Sequence, residues 1–133
     1  MKYLLDTHSL IWYMDGNENL SDKVRKTIVD RHNQIFVSAI SFWEIAIKTV
    51  IGKFNAKEYD LAKIKKNCLN LRIKLLPIEV NDSFAYRNLP LKKKHRDPFD
   101  RMLIATAIQN GWTLLSCDDK FEQYKEDGLK VLW

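Results

Sequence analysis

The chain has 133 residues, 46% of them hydrophobic and 29% charged, with a formal net charge of +5 and a pI near 9.2. This length fits one domain spanning residues 1–133, and the composition excludes a disordered or fibrous chain. With only two cysteines, Cys68 and Cys117, and no apolar stretch of about 18 residues, a disulfide-braced secreted domain and a transmembrane helix are both excluded. We therefore expect a cytoplasmic protein without a membrane partner, and the positive charge favours a polyanionic partner such as nucleic acid.

Short apolar runs alternate with longer amphipathic ones, which is typical of repeated strand–helix–strand units. Each short run is apolar throughout, as in strands buried on both faces of a parallel sheet. Cap residues and glycines mark the helix ends. In the first half of the chain, the pattern predicts a strand at 3–6, a helix from the N-cap Ser21 to about 32, a strand at 35–38 and a helix at 40–51 that stops at Gly52. A helix at 57–71 and a strand at 75–78 follow. The last part is predicted to form a helix from the N-cap Asp97 to 110, a strand at 113–116, a short helix from 118 or 119 and a strand at 130–132. The predicted architecture is a three-layer α/β/α domain.

Two acids follow predicted strands of this sheet. Asp6 ends the first strand, and Asp118 comes two residues after the strand at 113–116. Ligands of open parallel sheets bind in the crevice at the carboxyl ends of the strands, so both acids are candidates for a site. Each could instead simply cap the helix that follows it.

Two further acids lie on predicted helices. Glu44 shares an apolar stripe with Ile40 and Ile47, and a buried carboxylate is normally protonated, paired or bound to a cation. The alternative is an ion pair with Lys48 along the helix, in which case we expect Glu44 to face solvent. Asp100 is the third residue of its helix and could serve only the helix dipole, but Asp97 already supplies the cap.

Taken together, these four acids predict a metal site. Carboxylates that converge repel one another and raise each other's pKa values unless a cation neutralises them. Oxygen ligands without a His or Cys cluster indicate Mg²⁺, with Mn²⁺ as a possible substitute, rather than zinc. Such an ion activates water and neutralises phosphoryl charge, so the four acids predict phosphodiester cleavage.

These acids lie in segments that closely resemble the PIN-domain ribonucleases, specifically the VapC-like toxins of bacterial toxin–antitoxin pairs. The matching segments, in the family's order, are LLDTHSLIWYM (4–14), VSAISFWEIAIKTVIGKF (37–54), LP (76–77), HRDPFDRMLIATA (95–107) and TLLSCDDKFEQY (113–124). The resemblance implies a PIN-like fold, with a central, mostly parallel sheet of four to five strands between helical layers. It also implies Mg²⁺-dependent endoribonuclease activity.

The family's four acids fall on Asp6, Glu44, Asp100 and Asp118 of this chain. The resemblance implies that Asp6, Asp100 and Asp118 bind the metal directly or through water. It implies that Glu44 holds or helps to activate a metal-bound water. All four are therefore candidate catalytic residues.

Several neighbouring residues are secondary candidates. Ser116 stands two positions before the last acid, where the family often has a hydroxyl residue, while Asp97 and Asp119 are alternative or auxiliary acids. The resemblance also implies that a basic run beside the site meets RNA phosphates, a salt-sensitive contact. That run consists of Lys92, Lys93, Lys94, His95 and Arg96.

Two other kinds of protein remain as alternatives. A receiver-like domain is also α/β and binds Mg²⁺ in an acidic pocket, but it carries paired acids after the first strand, whereas Thr7 follows Asp6 here. A nucleic-acid-binding module without catalysis would use the basic surface alone. Carboxylates near a phosphate backbone weaken such binding unless a metal intervenes, which argues against this alternative.

The resemblance also implies protein partners. A nuclease of this kind harms its own cell, so a cognate antitoxin is expected to occlude the acidic pocket, often with a basic side chain. A homodimer is expected as well. Trp12, Tyr13 and Trp43 are aromatic candidates for either contact.

Overall fold

A single parallel sheet organises the molecule. In the computed structural model, which describes residues 1–133, its strands are β1 (Lys2–Leu5), β2 (Gln34–Ser38), β3 (Lys74–Leu76), β4 (Thr113–Leu115) and β5 (Lys130–Leu132). Their order across the sheet is β3-β2-β1-β4-β5, and every neighbouring pair is parallel. The chain builds outward from β1 on one side and then crosses to build on the other. This reversal opens a crevice between the carboxyl ends of β1 and β4.

Helices connect the strands. They are α1 (Thr7–Asp15), α2 (Asp22–Val29), α3 (Ala39–Val50), α4 (Leu61–Asn70), α5 (Val80–Asn88), α6 (Pro98–Asn110) and a 3₁₀ helix (Asp119–Asp127). None of them is long and apolar enough to cross a membrane.

Each face of the sheet carries its own hydrophobic core, because successive side chains along a strand point to opposite faces. Leu5 and Val37 pack into one core with residues of α1, α2 and α4, including Ile64. Leu4 and Leu114 pack into the other core, which α6 and the 3₁₀ helix cover. The predicted α/β/α layering and parallel sheet are thereby confirmed.

Two helices were absent from the prediction. α1 follows β1 without a turn signal and contains β-branched and aromatic residues of modest helix propensity. Burial of Leu10 and Ile11 stabilises it instead. α5 has almost no apolar stripe, and its strongest local signal is a capping box between Glu79 and Asp82.

Three predicted elements also have a boundary that differs from the structure by two residues or more. α2 ends at Val29 rather than near 32, since Asp30 leaves the helical conformation. α4 begins at Leu61 rather than 57, because the Asp60 side chain caps it. β3 runs over Lys74–Leu76 rather than 75–78, and Pro77, which has no N–H to donate, follows it.

Candidate active site

Asp6 and Asp118 stand on either side of the crevice that the reversal of strand order creates. The Oδ1 of Asp6 accepts the Ser9 N–H at 2.7 Å, which caps α1, while the side chain is 6% exposed. Asp118 caps the 3₁₀ helix by accepting the Lys120 N–H at 2.9 Å. Both acids therefore act as helix caps and also face the crevice, so the two interpretations of the sequence are compatible.

Glu44 reaches the crevice from α3, where it is 5% exposed. The Thr7 hydroxyl donates to its Oε1 at 2.7 Å, and the Lys48 ammonium lies 2.7 Å from its Oε2. The expectation that a Lys48 partner would leave Glu44 facing solvent is wrong. Lys48 extends inward over the Phe54 ring, with its Nζ 5.3 Å from the ring centroid, and meets the buried carboxylate there.

Asp100 lies in the first turn of α6, where Asp97 is the cap as predicted. The Oδ1 of Asp97 accepts the N–H groups of Phe99 and Asp100 at 2.8 and 3.1 Å. The Oδ2 of Asp100 lies 3.2 Å from the His95 Nε2. Burial and the neighbouring charge of Asp97 raise the pKa of Asp100 to about 6, against a hydrogen bond from His95 that lowers it.

These acids line one cleft of about 320 Å³. Its walls are Asp6, Thr7, His8, Trp12, Glu44, Lys48, Asp97, Asp100, Cys117 and Asp118. The structure thus brings together the four predicted acids and adds Asp97, whereas Asp119 is exposed and does not line the cleft.

The cleft has a large excess of negative charge. Five carboxylates line it, and Lys48 is the single lysine or arginine in its walls. Burial raises the pKa of the Asp6 carboxyl, although hydrogen bonds from Ser116 and Ser9 act in the opposite direction. The pKa of the Cys117 thiol is raised by burial and by the charge of Asp6. Such shifts mark a place where charge is confined, which is typical of functional sites.

Comparison with known proteins identifies the family. Residues 3–127 match the model of the PIN domain. The chain belongs to the PIN-domain family. Over 131 residues it is 24% identical to Ribonuclease VapC22 of Mycobacterium tuberculosis, covering 98% of this chain and 97% of that protein.

Solved structures share the PIN fold along the full chain. VapBC2 from Rickettsia felis, bound to a DNA fragment from its promoter, superposes with a TM-score of 0.70 at 17% identity, covering 99% of this chain and 98% of that one. DNA-bound VapBC from Salmonella typhimurium superposes with a TM-score of 0.67 at 17% identity, covering 99% and 97% of the two chains. The predicted family resemblance is confirmed.

PIN-domain ribonucleases generally use a divalent metal ion, and the donors in this PIN domain suit one. Carboxylate oxygens are the ligands that hard divalent cations prefer, and confined like charges gain most from a cation. As the side chains stand, however, no three His, Cys, Asp or Glu residues group closely enough to hold an ion. Each acid instead contacts a partner of its own, as described above for Asp6, Glu44, Asp100 and Asp118.

The basic run, which was predicted to meet RNA phosphates beside the site, has side chains in different environments in this PIN domain. Lys93, Lys94 and Arg96 are exposed, but none of them lines the cleft. Lys92 is engaged by the 3₁₀ helix, with its Nζ 2.7 Å from Glu126 and 2.8 Å from Asp127.

Two of the predicted substrate contacts, His95 and Ser116, have buried side chains. His95 is 3% exposed, and both ring nitrogens have partners inside the protein. Ser116 is 1% exposed and accepts the Asp118 N–H at 3.1 Å. Both residues contact acids of the cleft, His95 at Asp100 and Ser116 at Asp118.

Thr7, His8 and Cys117 line the cleft but were not predicted as site residues, and Lys48 was considered only as an ion-pair partner of Glu44. Thr7 directly follows Asp6, so its place at the carboxyl end of β1 was a usable signal. Lys48 stands one helical turn after Glu44, and it was weighed as a partner that would draw Glu44 outward. The sequence does not reveal that the Thr7 hydroxyl donates to the carboxylate of Glu44, 37 residues away.

Proposed function

We propose that this PIN-domain protein is a Mg²⁺-dependent endoribonuclease, with Mn²⁺ as a substitute, and the toxin of a toxin–antitoxin pair acting in the cytoplasm. The observation that carries the proposal is the meeting of Asp6, Glu44, Asp100 and Asp118 in one cleft. The similarity to Ribonuclease VapC22 over nearly the full length supports RNA as the substrate.

Asp6, Asp100 and Asp118 would hold the ion, exchanging part of their present contacts for it. When bound, a divalent ion supplies Lewis acidity that neutralises phosphoryl charge and lowers the pKa of water. The three acids proposed to hold the ion offer only oxygen donors, which supports Mg²⁺ rather than zinc.

The protein's own groups would position water and substrate. Glu44, oriented by the Thr7 hydroxyl and the Lys48 ammonium at 2.7 Å each, would hold the attacking water or help to activate it. The Lys48 ammonium, the positive side chain in the cleft, would attract a phosphate oxygen of the RNA. The exposed Lys93, Lys94 and Arg96 would contact the RNA backbone outside the cleft.

An antitoxin is the expected protein partner, because the structural relatives include VapBC toxin–antitoxin complexes. A basic side chain of the antitoxin would complement the five carboxylates of the cleft. Trp43, 58% exposed and in edge contact with Phe99, is available to an antitoxin or to a second copy in a homodimer. Trp12 and Tyr13 pack partly against the core and are less available.

The test is cleavage of structured cellular RNA by the purified chain with Mg²⁺, with Mn²⁺ and with EDTA. The expected result is discrete cleavage that needs the metal and disappears in Asp6→Ala/Asp100→Ala. Asp119→Asn is the matched control, since this acid is adjacent to Asp118 but does not line the cleft. Parental cleavage by the double variant, or equal loss in Asp118→Asn and Asp119→Asn, would contradict the proposed site.

A second function, RNA binding without cleavage, is favoured by one observation: no three acids group closely enough to hold an ion as they stand. Metal-independent RNA binding by folded, antitoxin-free protein, with no cleavage under any condition, would select it.

A further inference from the structure

A chain of buried hydrogen bonds ends on the carboxylate of Asp100. The Oδ2 of Asp100 lies 3.2 Å from the Nε2 of His95, and the Nδ1 of His95 lies 2.8 Å from the Tyr124 hydroxyl. The guanidinium of Arg101 donates to that hydroxyl at 3.3 Å. All three supporting side chains are buried, and the proposed catalytic role of the cleft does not use any of them.

When Asp100 is ionised and His95 is neutral, the donor and acceptor chemistry of the groups fixes the direction of donation along this chain. An ionised carboxylate can only accept, so His95 must carry a hydrogen on Nε2 to contact Asp100. In the neutral ring, Nδ1 is then an acceptor, and the Tyr124 hydroxyl must donate to it. The guanidinium of Arg101 can only donate, so it occupies the oxygen of Tyr124 and leaves the hydroxyl hydrogen for His95.

The segment that carries His95 is held from two sides. Arg101 donates to the backbone carbonyls of Leu89 and Pro90, each at 2.9 Å. Lys92 forms ion pairs with the 3₁₀ helix, and the His95 N–H donates to the Lys92 carbonyl at 3.3 Å. These contacts fix the segment 89–95 and thereby the position of the imidazole of His95, which explains why this side chain faces inward.

We propose that His95 is a positioning residue for Asp100, and that Tyr124 and Arg101 fix the imidazole in the form that donates from Nε2. By occupying one oxygen of Asp100, His95 leaves the other for a divalent cation. This role rests on the metal site of the proposed function and adds to it the groups that orient one of its ligands. Groups that orient metal-bound carboxylates typically contribute roughly 10- to 100-fold to metal affinity.

The first experiment is a titration with Mn²⁺ of the parental chain and of three variants, His95→Leu, His95→Gln and Tyr124→Phe. Binding is measured by calorimetry and by the electron paramagnetic resonance signal of free Mn²⁺. We expect roughly 10- to 100-fold weaker binding in His95→Leu. His95→Gln restores most of the affinity because its amide N–H can donate from a similar place. Tyr124→Phe shows a smaller loss, because it keeps the ring in place while removing the hydroxyl.

The control is Lys125→Ala, next to Tyr124 on the 3₁₀ helix, whose exposed side chain pairs with Glu122. Thermal unfolding of each variant without metal sets a titration temperature at which all are folded. A merely structural role would lower the unfolding temperature and leave the affinity of the folded protein unchanged. If His95→Leu does not fold, His95→Gln and Tyr124→Phe still carry the test.

The second experiment reads the imidazole directly, from long-range ¹H–¹⁵N spectra of the histidine side chains. We expect His95 as the neutral tautomer protonated at Nε2, and a change in its nitrogen shifts in Tyr124→Phe. A ring protonated at Nδ1 alone would overturn the proposal.

The two proposals fail in different ways. If the parental chain binds Mn²⁺ and His95→Leu binds it equally well, the role of His95 is overturned and the metal site stands. If the parental chain binds no Mn²⁺, the metal site is overturned and the role of His95 with it.

Discussion

The two ends of the parallel strands carry charge of opposite sign, and the surroundings of these charges differ. Near the amino ends, Phe36 and Trp112 stack with ring centroids 4.3 Å apart, and the ammonium groups of Lys2 and Lys74 lie 5.8 and 5.7 Å from these rings. Lys74 also donates to Gln34 at 3.0 Å. Both lysines have an aromatic neighbour and are exposed to water.

At the carboxyl ends, five carboxylates surround one cleft and a single lysine. Burial raises the pKa values of Asp6 and Asp100, so their ionised forms are disfavoured in the fold. The amino end is therefore arranged for stability. At the carboxyl end, burial of these carboxylates costs stability, a cost that the proposed cation site would explain.

The largest effect is expected from Asp6→Asn. Asparagine is also a good N-cap, so α1 should survive, and removing a buried charge should leave the unfolding temperature unchanged or raise it. Loss of a metal ligand should lower RNA cleavage by roughly 1000-fold, about 4 kcal/mol of transition-state stabilisation. Single-turnover cleavage measures the expected loss of activity, and thermal unfolding measures the expected effect on stability. A variant that cleaves within about tenfold of the parental rate would show that Asp6 is not part of the site.

The next effect is expected at the other end, from Trp112→Ala. Loss of a large, partly buried ring stacked on Phe36 should cost about 3 kcal/mol of unfolding free energy, measured by urea denaturation. Cleavage per folded molecule should not change, because Trp112 lies outside the cleft. If the cleavage rate per folded molecule fell together with the stability, the two ends of the sheet would be coupled, and the contrast drawn between them would be wrong.

Lys48→Met should have a smaller effect, which depends on metal. It leaves the buried Glu44 carboxylate without its cation and should lower the unfolding free energy by about 2 kcal/mol without Mg²⁺. Saturating Mg²⁺ should recover part of this loss by supplying another cation. Lys48→Arg keeps the charge and is the control; equal stability of Lys48→Met and the parental chain would mean that the ion pair does not stabilise the fold.

The smallest effect is a pH dependence that comes from Asp100. Its pKa is raised from 3.8 to about 6 in the folded state, chiefly by burial, so the folded chain retains a proton that the unfolded chain has released. This contribution to stability is present below pH 3.8 and is lost as the pH rises through about 6. Since the side chain is 26% exposed and therefore partly screened, we expect a loss of about 1 kcal/mol.

Urea denaturation between pH 4 and 7, without divalent ions, measures this loss as the difference between the parental chain and Asp100→Asn. The difference removes the contributions of Asp6 and Asp30, whose pKa values are also shifted. A difference that stays constant with pH would assign the shift to another group.

Much of the fold and most of the candidate site could be predicted because their signals are local. The apolar run before Asp6, the run before Asp118 and the Asp-Pro start of α6 each involve a few consecutive residues, and the structure brings these acids to one cleft. Helices α1 and α5 were missed because their cap residues, Asp6 and Glu79, are not followed by a distinct apolar stripe. Burial of Leu10 and Ile11 accounts for the first, and packing against α6 accounts for the second.

The environment of each acid required the three-dimensional fold. Composition and neighbouring residues indicate that a carboxylate follows a strand, but not which distant group meets it. Thr7 meets Glu44 across 37 residues of chain, and Tyr124 meets His95 across 29. For the same reason the basic run looked like an RNA-binding loop, although Lys92 and His95 are drawn inward by the 3₁₀ helix and by Asp100. Strand ends and helix caps depend on short-range hydrogen bonds, whereas burial and charge pairing depend on which elements the sheet order brings together.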